Sequence, residues 1–83
     1  MKKIYESPLN GWDESAERIH VYALENDDEY WALKEMTHKE RCDWFDVFDE
    51  FDYEVAPGAM YKTYSFDFSS NYVIMHETVA YNV

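Results

Sequence analysis

Eighty-three residues with 18 acidic and 7 basic side chains give a formal net charge of −11, and this length holds one domain rather than two. Apolar residues make up 47% of the chain and aromatics 19%, too much oily surface for a disordered acidic tail. The charge excludes direct binding of DNA, RNA or an anionic membrane through the net field, because the scattered cations cannot outweigh the anions.

Met1-Lys2-Lys3-Ile4 opens like the charged region of a signal peptide, but Tyr5-Glu6-Ser7-Pro8 stands where the apolar core would begin. No run approaches the roughly 18 apolar residues of a membrane span, and the expected location is the cytoplasm. Lys3-Ile4-Tyr5 reads as a short edge strand. Ser7 to Gly11 reads as a turn, with Pro8 and Gly11 breaking regular structure. Trp12 is expected to fold back as a lid on a small core. From Arg18 to Leu24 the residues alternate as a strand, with Ile19, Val21 and Ala23 expected on the dry face and Arg18, His20 and Tyr22 on the wetter one.

Glu25 to Glu29 form a charged turn in which Asn26 caps a short helix over about 27–36 and Glu29 takes the reciprocal position. Tyr30, Leu33 and either Ala32 or Met36 make its inward stripe. Thr37-His38-Lys39-Glu40 is a capping box. The apolar period that follows predicts a second helix from His38 to about Tyr53, roughly 24 Å long. Trp44, Val47, Phe48, Phe51 and Val55 fall on one side with Phe45 at the margin, while Asp43, Asp46, Asp49 and Glu50 fall opposite. Phe48 and Phe51 are therefore expected among the most buried residues.

Val55-Ala56-Pro57-Gly58 ends that helix. Met60–Phe68 and Tyr72–Tyr81 then form a hairpin through Ser69-Ser70-Asn71. Tyr64, Phe66 and Phe68 share a face of the first strand, and Val73, Met75, Val79 and Tyr81 share a face of the second. The expected fold is α+β over residues 1–83, a small antiparallel sheet in β-α-α-β-β order with an optional N-terminal strand. One face of it packs against the long amphipathic helix.

The acids are unevenly placed. Asp43, Asp46, Asp49, Glu50, Asp52 and Glu54 follow one another without a lysine or arginine, and Glu25, Asp27, Asp28 and Glu29 add a second group. A solvated helix face is the plainer account of this charge. Yet a helix selected for stability alone mixes in cations four residues away to relieve repulsion, and aspartate is a poor helix former. At spacings of three and four on the second helix, Asp43, Asp46 and Glu50 are expected about 5–7 Å apart along one ridge, a spacing of the same order as backbone phosphates. The expected partner is the basic surface of a nucleic-acid-binding protein or nuclease complex. The expected contact residues are Asp27, Asp28, Glu29, Asp43, Asp46, Asp49, Glu50, Asp52 and Glu54.

No catalytic motif stands out. Cys42 is the single cysteine, so it has no partner for a disulfide or a paired-cysteine metal site, and a small buried residue is expected there. His20, His38 and His76 lie on three separate predicted elements with no metal-binding pair among them. Trp44, Phe45, Val47 and Phe48 interrupt the aspartates as no calcium loop would, and two glycines leave no phosphate-cradling loop. No enzyme, cofactor or metal is expected. Tyr61, Tyr64, Tyr72 and Tyr81 in the hairpin fit protein contact, so the alternative function is an assembly module or homodimer joined through that aromatic face.

In its length, its charge, the expected carboxylate-bearing helix from Thr37 to Tyr53, and the runs DDEYW and DWFDVFDEFDYE, the chain resembles the small acidic proteins that phages and mobile elements use against host defence, the DNA-mimicking anti-CRISPR and anti-restriction proteins. That resemblance implies a stoichiometric inhibitor without a cofactor, occupying the nucleic-acid groove of a nuclease or DNA-binding complex in the host cytoplasm.

Overall fold

A computed structural model of the chain describes residues 1–83. The elements are β1 (Lys2–Glu6), β2 (Asn10–Gly11), β3 (Ser15–Ala23), α1 (Asp27–Glu35), α2 (His38–Trp44), a 3-10 turn (Asp52–Glu54), β4 (Met60–Phe68) and β5 (Tyr72–Tyr81). All strand pairs are antiparallel, in the spatial order β1-β3-β5-β4, with β2 also pairing β3. The α+β class and the hairpin stand. The optional N-terminal strand is present as β1, but β2 also forms within the segment expected as a turn, so the exact β-α-α-β-β order does not hold.

β1 and β2 form one interrupted edge. Ile19 donates to Ser7 Oγ (2.8 Å) and accepts from Ser7 N (2.9 Å) between them, where Pro8 cannot donate to a ladder. The turn into β3 needs Gly11, whose φ is +137° and whose added Cβ would lie 2.6 Å from Ser15 O. Trp12 lies partly over Tyr81, with ring centroids 5.7 Å apart, and remains 42% exposed, so it closes little.

Side-chain caps start both helices. Asn26 Oδ1 accepts from Glu29 N, but the Glu29 carboxylate turns to the Met1 ammonium instead of returning the bond to Asn26, whereas Thr37 and Glu40 exchange both bonds of a capping box as expected. Leu33 is the buried residue of α1, with Met36 half-buried and Ala32 exposed. Arg41 binds the corner between the helices, donating to Leu33 O (2.8 Å) and Lys34 O (2.6 Å) while its guanidinium lies over Phe68. It thereby satisfies carbonyls that the end of α1 leaves open.

The second helix is seven residues long and stops at Trp44, so the expected span to Tyr53 is overturned. Val47 N bonds Cys42 O and Asp46 N bonds Asp43 O, with Asp46 in the left-handed region at φ +57°. These are the two bonds of a Schellman stop. Aspartate tolerates that conformation better than most residues. Beyond it the chain is extended and lies along the outer edge of β4, where Glu50 N donates to Lys62 O and Asp49 Oδ1 accepts from Tyr64 N. This segment covers an edge that would otherwise present unpaired backbone groups. Its aromatics consequently face outward: Phe48 is 72% exposed and Phe51 46%, against the expectation that both are core.

The helices cover the face of the sheet that carries Tyr22, Phe66 and Phe68. Phe45 packs against Tyr22 and Phe66, and Tyr30 against Phe68. Ala16, Val73, Met75 and Val79 are buried on this face with His20 and Glu77. The dry side of β3 is thus the side of Arg18, His20 and Tyr22, the reverse of the expectation. Ile19, Val21 and Ala23 lie half-buried on the open side, with Ile74 beside Val21.

Candidate functional site

Loss of the long helix breaks the expected carboxylate row. Asp43 is on α2, Asp46 at its stop, Asp49 and Glu50 beside β4, and Asp52 and Glu54 in the 3-10 turn. Together they border the β4 side of the molecule rather than one ridge. Asp27, Asp28 and Glu29 stand in the first turn of α1. Glu29 turns back to the chain's own ammonium group at 3.1 Å, next to the β1 edge. The two acidic groups are thus anchored at opposite edges of the sheet.

Their engagement differs residue by residue. Glu29 is held by Met1, Asp49 by His38 and Tyr64, and Glu54 accepts from Phe51 N. The side chains of Asp27, Asp28, Asp43, Asp46, Glu50 and Asp52 have no hydrogen bond or ion pair. The cations are mostly committed: Lys3 pairs with Glu6, Arg18 and Lys62 approach Glu77, Arg41 holds the helix corner, and Lys34 lies over Tyr30 and Trp31. Lys2 and Lys39 alone have neither an acidic, carbonyl nor aromatic partner. This pairing leaves the net charge at −11 and leaves those six carboxylates without an internal partner.

A polar group lies under the sheet's covered face. His20 Nε2 donates to Glu77 Oε1 at 2.8 Å, Lys62 Nζ is 3.5 Å from Glu77 Oε2, and Arg18 Nη1 is 4.0 Å from Oε1. Glu6 Oε1 lies 3.1 Å from His20 Nδ1 without the alignment of a hydrogen bond. Burial pushes the Glu77 carboxyl up. The hydrogen bond from His20, with the charges of Lys62, Arg18 and His20, outweighs burial and holds it below its ordinary value.

A second cluster joins α2 to the extended acidic segment. His38 Nε2 is 2.6 Å from Asp49 Oδ2 and 3.5 Å from Cys42 Sγ, and all three ligand atoms lie within 4.8 Å of one another. Spacing of four residues places His38 and Cys42 on one side of α2, a His–Cys relation that the spacing of the three histidines does not reveal. The turn at Asp46 brings Asp49 back to them. Cys42 is buried, as expected, and burial first, then the charges of Asp49 and Asp43, push its thiol up. The thiol and the carboxylate meet the same ring nitrogen, whereas a nucleophile relay needs them on opposite nitrogens. The arrangement suits ligation better than nucleophilic attack.

No helix is long and apolar enough to cross a membrane. Compared with known proteins, the chain matches no protein-family model, no curated protein and no solved structure.

Proposed function

We propose that this protein is a stoichiometric inhibitor or regulator that binds the basic nucleic-acid-binding surface of another protein, acting by nucleic-acid mimicry. The observation that carries this reading is the set of unpaired carboxylates, Asp43, Asp46, Glu50 and Asp52 on the β4 side with Asp27 and Asp28 on α1, in a chain whose cations are largely engaged internally. Lysine and arginine side chains lining a nucleic-acid groove are the complement of such a surface. The contact is a border built from a helix end and an extended segment, not a helical ridge. The test uses the partner protein isolated with this chain: its affinity falls steeply with salt, nucleic acid competes for it, and Asp43→Asn/Asp46→Asn/Asp52→Asn weakens it. Equal affinities for wild type and variant, without nucleic-acid competition, reject the proposal.

A second reading, self-association through the open sheet face, draws on the half-buried Ile19, Val21 and Ile74, flanked by Tyr5 and Tyr72, which no element covers. Sedimentation distinguishes the two: a dimer that Ile74→Asp dissociates supports this face.

A further inference from the structure

We propose that His38, Cys42 and Asp49 form a binding site for one Zn²⁺ ion, with a fourth position open to water. A nitrogen, a sulfur and an oxygen donor together fit this borderline-soft cation, and three protein ligands plus water complete its tetrahedral shell. The distances are close to those required. Zinc–sulfur and zinc–nitrogen bonds of about 2.3 and 2.0 Å at a tetrahedral angle place the two donors about 3.5 Å apart, and Cys42 Sγ and His38 Nε2 stand 3.5 Å apart. His38 and Asp49 are closer, at 2.6 Å, because a hydrogen bond joins them. Binding must part them by roughly 0.7 Å, which a small rotation of the half-exposed His38 ring supplies.

The supporting shell is already in place. Tyr64 N donates to Asp49 Oδ1, leaving Oδ2 to point at the cluster, and the edge of His38 rests on Phe66. Fixed partners of this kind set the orientation of metal ligands. The Thr37–Glu40 capping box holds the turn that carries His38. Loading displaces the thiol proton of Cys42 to solvent and moves the imidazole proton from Nε2 to Nδ1, so a neutral ring and a thiolate face the ion. The ion then fastens α2 to the extended segment and, through Asp49, to β4. This site stands independently of the acidic-surface reading.

The test titrates the reduced, untagged full chain with Co²⁺ as a spectroscopic stand-in and then with Zn²⁺ against a chromogenic chelator. Expected are one equivalent bound, a thiolate-to-cobalt charge-transfer band, and no displacement by excess Ca²⁺ or Mg²⁺. His38→Gln changes an exposed side chain and spares the core, and it should weaken Zn²⁺ about tenfold or more. Cys42→Ser should abolish the charge-transfer band, with circular dichroism confirming that the variant is folded. The proposal is overturned if no thiolate band forms, if Ca²⁺ displaces the ion, or if His38→Gln binds Zn²⁺ as tightly as wild type.

Discussion

His20 and Glu77 meet at 2.8 Å between neighbouring strands, on a face of the sheet where each is less than a tenth exposed. An ionised carboxylate only accepts, so His20 Nε2 carries the shared proton. Arg18, on β3, and Lys62, on β4, approach the same carboxylate, Tyr64 is the cross-strand neighbour of Glu77, and Glu6, on β1, faces the other ring nitrogen. Charges this well surrounded are costly to break one partner at a time.

Glu77→Gln keeps the size and removes the charge, and should cost about 2 kcal/mol at neutral pH. The pH dependence follows from the lowered carboxyl. The native state releases this proton more readily than the unfolded chain does, so the stabilisation is complete above the ordinary value of 4.5 and is lost as pH falls through the lower folded value. Urea midpoints measured from neutral pH into that acid range should converge for wild type and Glu77→Gln.

At Asp46 the left-handed backbone makes an unusual substitution favourable. Asp46→Gly relieves the conformational cost at φ +57° and removes only an exposed side chain. It should stabilise the protein by about 0.5–1 kcal/mol. Inside a continuous helix the same change would destabilise by about as much, so the sign of the shift in urea midpoint tests the stop directly.

Leu33 and Phe48 should part company despite similar apolarity. Leu33 has no exposed surface, and Leu33→Ala should cost about 2–5 kcal/mol. Phe48→Ala, at a residue 72% exposed, should stay within about 0.5 kcal/mol. Denaturant melts with unchanged slopes are the measurement.

These contrasts locate where local sequence carries the fold and where it does not. Thr37-Glu40 and Asn26-Glu29 are satisfied within three residues, and their caps are legible from spacing alone. The β4–β5 hairpin is equally local. The end of α2 lacks its usual marker, since an aspartate rather than a glycine takes the left-handed position, while the apolar period runs on through residues that pack along β4 or face water. Inversion of β3 has a different cause: burial of His20 depends on Glu77, 57 residues away. The four-residue spacing of His38 and Cys42 is local but does not figure as a pair among the sequence expectations, and Asp49 joins them only because the chain reverses at Asp46.

Cys42 should be slow to react. Burial and the nearby carboxylates of Asp49 and Asp43 push its thiol above the ordinary value, so the thiol predominates at neutral pH and thiolate appears only as pH rises. Ellman's reagent should modify it far more slowly in the folded protein than in urea, with a rate that climbs with pH. Asp49→Asn removes one of the two carboxylate influences and should accelerate the reaction at a given pH without unfolding the chain.

Charge on the β4 side should destabilise the fold that displays it. Asp43 lies in the last turn of a helix, where a negative charge opposes the macrodipole by about 0.3–1 kcal/mol. Asp46 occupies a left-handed position that asparagine tolerates equally, and exposed Asp52 adds like charge in the same segment. Asp43→Asn/Asp46→Asn/Asp52→Asn should therefore be more stable than wild type, by about 1 kcal/mol at low ionic strength. Screening over about 8–10 Å should narrow that gap at high salt. None of the three side chains makes a hydrogen bond or ion pair within the fold, so neutralising them removes repulsion and sacrifices no internal contact. If the same variant also binds the partner more weakly, the carboxylates are retained at the expense of stability, as residues that serve recognition are. A variant whose urea midpoint falls at low salt would instead place these carboxylates among the groups that hold the fold together, and would remove the physical reason for assigning them to a partner.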